Sequence, residues 1–264
     1  MEGRKPFDWK WAVRSNFSMM TVVGFWPSGD ETYKLDFYTI YASVLLTLHL
    51  CHVFFQIVYF FSVLDDLQAL TSTGVILLTE ILILLKACSL AKNMGMVKQL
   101  MMTLNNDLFQ PKTIQQIILV KPSLKFCNIT YKMLGVMAFG TGFFWAIFPI
   151  LDKSFKNYRL PFYAWYPYNT KTSPFYEITY VYQVFSTAFI ALTNVCIDTL
   201  IASLNMYTGT QFDLLCDDLR NFYDPDEEGI SKKLMTCIKH HKQILRFASN
   251  SNQFVDWIYF LQFF

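Results

Sequence analysis

Residues 37–64 read "FYTIYASVLLTLHLCHVFFQIVYFFSVL", a run without a single Asp, Glu, Lys or Arg. A helix rises 1.5 Å per residue, so a run of about 20 residues crosses the roughly 30 Å of bilayer hydrocarbon, and this one exceeds it. The rest of the chain agrees: 53% of its 264 residues are hydrophobic and only 16% charged, with 26 Phe and 15 Tyr. That balance lies outside the soluble range and predicts a membrane protein. A net charge of +2 offers no basic footprint for nucleic acid.

Three further windows are long enough to span. Leu67–Ala91 is apolar apart from Glu80 and Lys86, Met133–Leu151 carries no charge, and Ile178–Asn205 carries only Asp198. A fifth apolar run, 254–264, is too short to cross. A terminal carboxylate inside hydrocarbon is costly, so the sequence reads as the front part of a longer chain. The expected fold class is therefore all-α. It is a polytopic helix bundle forming one incomplete transmembrane domain over 1–264, with spans near 37–64, 67–91, 133–151 and 178–205 and the start of a fifth at 254–264.

Lys and Arg number 17 in the tail 1–36 and the connections 92–132 and 205–253, against 4 in the alternate connections. The richer face stays in the cytoplasm, which puts the amino terminus inside. G-protein-coupled receptors start outside. None of Cys51, Cys88, Cys127, Cys196, Cys216 and Cys237 falls in an outward connection, so reduced thiols are expected.

The tail carries Arg4, Lys5, Lys10 and Arg14 before "MMTVVGFW" at 19–26, but no small-residue cleavage pattern follows. It is expected to be a short interfacial or re-entrant helix ending at Pro27, with Trp9, Trp11 and Trp26 at headgroup level. Two inner connections show helical periodicity: Met94, Val97, Met101, Leu104 and Leu108, and Ile230, Leu234, Ile238, His241 and Leu245. Each predicts an amphipathic helix on that apolar face. "QFDLLCDDLRNF" at 211–222 continues helically to the breaker "DPDEEG" at 224–229, so the fourth span should project inward and return as a hairpin.

Charges inside spans need an account. Lys86 and Asp198 lie near the inner ends and are expected to snorkel to the interface. Glu80 is nearer mid-span, off the Lys86 face, and should point into the bundle.

An enzyme with a histidine-box di-iron site is the one catalytic alternative, offered by "HLCH" at 49–52 and "HH" at 240–241. Such sites need about eight imidazoles, and the chain has 4 His. Zinc-spaced cysteines, phosphate loops and serine elbows are absent from the sequence, so no cofactor, metal ligand or catalytic residue is expected.

Between the third and fourth windows stands "LPFYAWYPYNTKTSPFYEITYVYQ" at 160–183. With Leu-Pro, Trp before Pro, and a Ser-Pro turn leading into Tyr and Gln, it resembles the second extracellular loop and fourth-helix start of insect odorant receptors. "DTLIASLNMYTGTQFDLLCDDL" at 198–219 and "IKHHKQILRFASNSNQF" at 238–254 are similar to further stretches of that family.

The resemblance implies a seven-helix receptor subunit in the olfactory neuron plasma membrane. It would bind small volatile odorants and assemble with an odorant receptor co-receptor into a ligand-gated, non-selective cation channel. The gustatory receptors of the same superfamily are the nearest alternative. The family's pore-lining seventh helix lies beyond residue 264, so no pore residue is named. Odorants are implied to bind in the outer half of the bundle, where inward faces offer Thr73 and Leu77, Phe143 and Ile147, and Tyr176 and Tyr180, each pair spaced i, i+4. An enclosed apolar cavity with a few hydroxyls suits such ligands. The 160–177 loop would cover the mouth, its Tyr and Trp at an apolar–wet boundary and Pro161, Pro167 and Pro174 holding its shape.

Overall fold

A computed structural model describes residues 6–27, 35–221 and 227–263. The expected breaker at 224–229 therefore lies partly outside the described residues. Among these, all regular structure is helical. A 3-10 turn Trp9–Val13 leads into α1 (Arg14–Val22), followed by α2 (Phe37–Ser62), α3 (Leu67–Lys92), α4 (Met94–Thr103), α5 (Ile114–Leu151), α6 (Phe175–Arg220) and α7 (Glu227–Phe263). Helices α2, α3, α5 and α6 are long and apolar enough to cross a membrane.

Local chemistry fixes where these helices start. The Asp36 carboxylate accepts from Thr39 N, which caps α2 and holds its pKa below the ordinary carboxylate range. The Asp66 carboxylate accepts from the amides of Gln68 and Ala69 and caps α3, making the 63–66 turn a tight reversal. Thr113 caps α5 by accepting from Gln116 N.

Helix α6 is the centre of the fold, packing on α1, α2, α3, α5 and α7, with its largest interface against α5. The main core gathers at one end of the bundle, where the 3-10 turn, α1, α4, α7 and the long ends of α5 and α6 meet around Trp9, Met94, Leu104, Phe109, Leu204, Tyr207 and Phe247. This is the basal end. At the other end, the loop end, α5 exposes Met137, Phe139, Phe143, Phe144 and Phe148. Such an outward apolar band is what lipid contact requires, since hydrocarbon there costs nothing.

Several expectations are corrected here. The tail is structural rather than interfacial at Trp9, which is 0% exposed and edge-on to Tyr207, whose hydroxyl donates to the Trp9 carbonyl at 2.8 Å. Trp11 is half exposed, and Trp26 stacks on Phe17 with Lys98 Nζ over its ring. Helix α1 stops at Val22, short of Pro27, as Gly24 takes a left-handed φ of +79° where a Cβ would meet Ala42 at 3.1 Å.

Span three is the second half of a longer helix. Val120, Leu124 and Cys127 recur at i, i+4, i+7 and are buried, while Lys121, Lys125 and Lys132 point away. Mean hydropathy drops across that amphipathic half, which hid it. In α7 the period was right but the face was not. Leu234, Ile238, His241 and Leu245 are exposed, and Cys237, His240, Ile244, Phe247, Ser251 and Phe254 pack inward. The inward line holds two polar residues, His240, which meets Gln211, and Ser251, whose hydroxyl is buried without a partner, so hydrophobicity alone chose the wrong stripe.

Candidate ligand-binding cavity

The aromatic loop is strapped across the loop end by side chains of the helices beneath it. Gln183, fully buried on α6, accepts from Phe162 N at 3.0 Å and donates to Phe162 O at 3.0 Å and to the Tyr166 hydroxyl at 3.1 Å. One amide thus satisfies a buried peptide unit that a loop would otherwise leave unpaired. Burial pushes the Tyr166 phenol up. Trp165 N donates to Phe55 O at 3.0 Å, and Tyr168 and Thr179 share a hydroxyl bond at 2.8 Å. Rings complete the seal, with Tyr163 stacked on Tyr59 at 5.6 Å and Phe162 on Trp145 at 5.3 Å.

Beneath Phe162 lies a cavity of about 310 Å³ between α5 and α6. Its α5 wall is Ala138, Phe139, Gly142, Phe143 and Ala146; its α6 wall is Val184, Thr187, Ala188, Ala191 and Leu192. The cause is side-chain size. Ala138, Gly142 and Ala146 recur every four residues and so share one face. A Cβ added at Gly142 would meet nothing within 4 Å. Phe139 and Phe143, 72% and 50% exposed, form the rim. Every lining side chain is hydrocarbon except Thr187, whose hydroxyl has no hydrogen-bond partner.

A second buried group is polar. The Glu80 carboxylate on α3 accepts from Gln56 Nε2 at 3.0 Å and stands 3.6 Å from His52 Nε2, both on α2. Gln56 Nε2 is also 3.0 Å from His52 Nε2. Lower in the bundle, Lys86 Nζ donates to Asp198 at 2.9 Å and to Asn194 at 2.9 Å. This corrects the snorkelling expectation for Lys86 and Asp198: the two face each other across α3 and α6, and pairing within the bundle is less costly than holding either charge apart.

At the basal end, His240 Nε2 meets Gln211 Oε1 at 3.0 Å, and burial together with the nearby Lys112 charge lowers its pKa to about 4. Gln211 Nε2 donates to Phe109 O at 3.2 Å. Among the described residues no group of three or more His, Cys, Asp or Glu is placed to hold a metal ion.

With this geometry in view, a model of the 7tm Odorant receptor family matches residues 66–264. The chain belongs to the odorant receptor family. Its fold is similar to the insect olfactory receptor OR5 of Machilis hrabei in complex with eugenol, with a TM-score of 0.78 at 16% identity, over 96% of this chain and 66% of that one. The structure of the same receptor described without a ligand gives 0.76 at 17%, over 96% and 67%. The odorant receptor chain described here thus spans about two thirds of the length of those solved receptors. It is a multi-pass membrane receptor rather than a histidine-box enzyme.

In this odorant receptor the residues singled out from sequence divide. Phe143 lines the cavity. Ile147 follows the lining residue Ala146 without joining the wall. Tyr180 donates to Ala146 O, and Tyr176, 5.8 Å from it ring to ring, donates to Arg159 O at 2.9 Å. Both tyrosines spend their hydroxyls on backbone carbonyls, Tyr180 on that of the lining residue Ala146 and Tyr176 on that of Arg159 in the loop, away from the cavity wall. Thr73 and Leu77 are buried on the face of α3 that also carries Glu80, and α3 does not line this cavity. Sequence reasoning missed the small residues of α5, Thr187 and the Gln183 strap. The four-residue spacing of Ala138, Gly142 and Ala146 was the available signal.

Proposed function

We propose that this odorant receptor chain binds small volatile molecules in the cavity between α5 and α6, with the loop end outside the cell and the amino terminus in the cytoplasm. The observation that carries it is the roofed, almost wholly hydrocarbon cavity of about 310 Å³. At about 25 cal/mol per Å² of apolar surface removed from water, burying 200 Å² of a ligand contributes roughly 5 kcal/mol, enough to hold a molecule that offers little else. Phe143 would touch the ligand, while Tyr176 and Tyr180 would set the wall behind it. Thr73 and Leu77 would act from the neighbouring α3 face.

The lopsided count of 17 basic residues against 4 supports the orientation. The family resemblance supports the rest: a partnership with an odorant receptor co-receptor, and gating of a non-selective cation channel in the plasma membrane of olfactory neurons.

The test is a volatile screen on the complete receptor expressed with its co-receptor, wild type beside Gly142→Leu. That substitution enters open space and fills the cavity without displacing a neighbour at Cβ. Sensitivity to every active volatile should fall tenfold or more at normal surface expression. Unchanged potency across the panel would place the odorant site elsewhere.

A further inference from the structure

We propose that a polar cavity between α4 and α7, at the basal end of the bundle, binds a phosphate-ester anion of lipid-headgroup size. It is separate from the cavity under the aromatic loop and does not depend on that cavity's role. Its volume is about 440 Å³. Gln99 and Asn105 line it from α4 and the turn that follows, and Gln243, Arg246 and Asn250 line it from α7. Spacing of i, i+3 and i+7 puts the three α7 residues on one helix face. Met96 and Phe247 supply an apolar part of the wall.

The charge of the wall selects an anion. It holds one guanidinium and no carboxylate. The segments that build it, 94–106 and 229–255, contain no Asp or Glu, and Asp107, next in the chain, is not part of the wall. Arg246 is exposed and has no ion pair among the described residues, and the exposed Lys239, two turns back on the same face, adds to the positive field.

The neighbouring amides are reachable from the cavity. Gln99 and Asn105 are exposed residues. Neither amide atom of Asn250 is sealed from solvent, and in Gln243 only Oε1 is, which leaves its Nε2 donor accessible. A guanidinium fork takes two oxygens of an anion, and the carboxamide N–H groups beside it take others. A carboxylate has only two oxygens to offer, whereas a phosphate monoester brings three terminal ones and uses this set more fully.

Position ties the anion to the bilayer surface. Helix α4 follows the α3 span after Asn93 alone, so Met96 stays close to the end of that span. Asn250 lies just before the apolar run that begins at Phe254, and Gln243 is seven residues, about 10 Å of helix, further back. At the ~30 Å³ that a water occupies in the liquid, the cavity takes about fifteen heavy atoms, room for a glycerol phosphate.

The test titrates the full-length receptor in detergent with dioctanoyl phosphatidic acid, dioctanoylglycerol and glycerol 3-phosphate. Wild type should hold phosphatidic acid about tenfold or more tighter than dioctanoylglycerol, which differs from it by the phosphate. Either result with glycerol 3-phosphate supports the site and names the source of the anion: comparable affinity means a soluble phosphate ester, much weaker affinity a lipid. Arg246→Gln keeps hydrogen bonding, removes the charge and should weaken phosphatidic acid about tenfold. Asn105→Asp, an isosteric change on an exposed turn, sets a like charge against the phosphate and should weaken it as well. Lys125→Gln, which removes an exposed charge on α5 outside the cavity, should change affinity less than about twofold. A wild type that does not prefer phosphatidic acid to dioctanoylglycerol overturns the proposal, as does an equal loss in Lys125→Gln and Arg246→Gln, which would reduce the attraction to general surface charge. Unchanged affinity in Arg246→Gln overturns it too; should that variant fail to fold, Asn105→Asp decides by the same criterion.

Discussion

Replacing Gln183 by Met should detach the aromatic loop while leaving the helices beneath it folded. The wild-type amide makes three hydrogen bonds, two to the Phe162 peptide and one to the Tyr166 hydroxyl, all at 3.0–3.1 Å and all away from solvent. Methionine matches its length and fits an apolar setting but satisfies none of them. Each net bond is worth about 1 kcal/mol, and a buried group left unpaired costs about 1–3 kcal/mol, so a local loss of roughly 3–5 kcal/mol is expected. What remains over that part of the loop is the Trp165–Phe55 backbone bond, the Tyr168–Thr179 hydroxyl bond and the ring contacts of Phe162, Tyr163 and Tyr166.

Hydrogen–deuterium exchange reads the outcome directly. Amides at 162–168 should lose at least a hundredfold of protection, and those of α6 below Gln183 should lose little. Gln183→Glu is the informative companion, because it keeps the acceptor for Phe162 N and removes the donors; its effect should fall between the two. Unchanged protection at Phe162 in Gln183→Met would refute the idea that this side chain anchors the loop.

Three other outcomes are expected. Lys86→Met strands Asp198 and Asn194 without their donor, which should cost about 2–3 kcal/mol, less than a fully buried pair because Asp198 is partly exposed; a lower melting temperature in detergent measures it, and Lys86→Met with Asp198→Leu should recover most of it. His240 titrates at about 4 when folded against an ordinary value near 6.5, so the unfolded chain binds the proton first. Its contribution to basal-end stability is full above about pH 6.5 and lost as pH falls to about 4, a slope in denaturation midpoint that His240→Gln should flatten. Asn16 and Asn128 lie in formal sequons, yet Asn16 is 1% exposed with its amide donating to Cys196 O and Thr199 Oγ1, so endoglycosidase treatment should leave the mobility of the protein unchanged.

The four crossings were legible because hydrocarbon thickness imposes a length that composition reveals, and α2 and α3 coincide with the apolar windows to within two residues. The basal layer was legible only in part. Met94, Val97, Met101 and Leu104 form the stripe that packs, as their period indicated. In α7 the competing stripe through His240 and Ser251 won because tertiary partners, Gln211 for His240, override side-chain polarity. The first half of α5 was hidden for a different reason: its lysines lower the window average although they share the helix with a buried face. Ion pairing of Lys86 with Asp198 needed the third dimension, since two helices 112 positions apart in sequence had to be brought together.

The cavity shows the same division most sharply. Spacing placed Tyr176 and Tyr180 on one face, and the structure keeps them together, yet a hydroxyl that donates to a backbone carbonyl is already occupied. Tyr176 ties α6 to the loop at Arg159, while Tyr180 reaches the Ala146 carbonyl and so sets where α5 stands relative to α6 and how much room is left between Ala146 and Ala188. Loss of Tyr180 would alter the cavity for every ligand alike. Thr187 is the converse case. It is a modest residue by composition, one of six threonines on a long helix, and only the absence of its hydrogen bond distinguishes it. The room between the two helices is therefore set by Tyr180 and the small side chains of α5, while the one hydroxyl of its wall, that of Thr187, is shielded and leaves the surface of that room hydrocarbon.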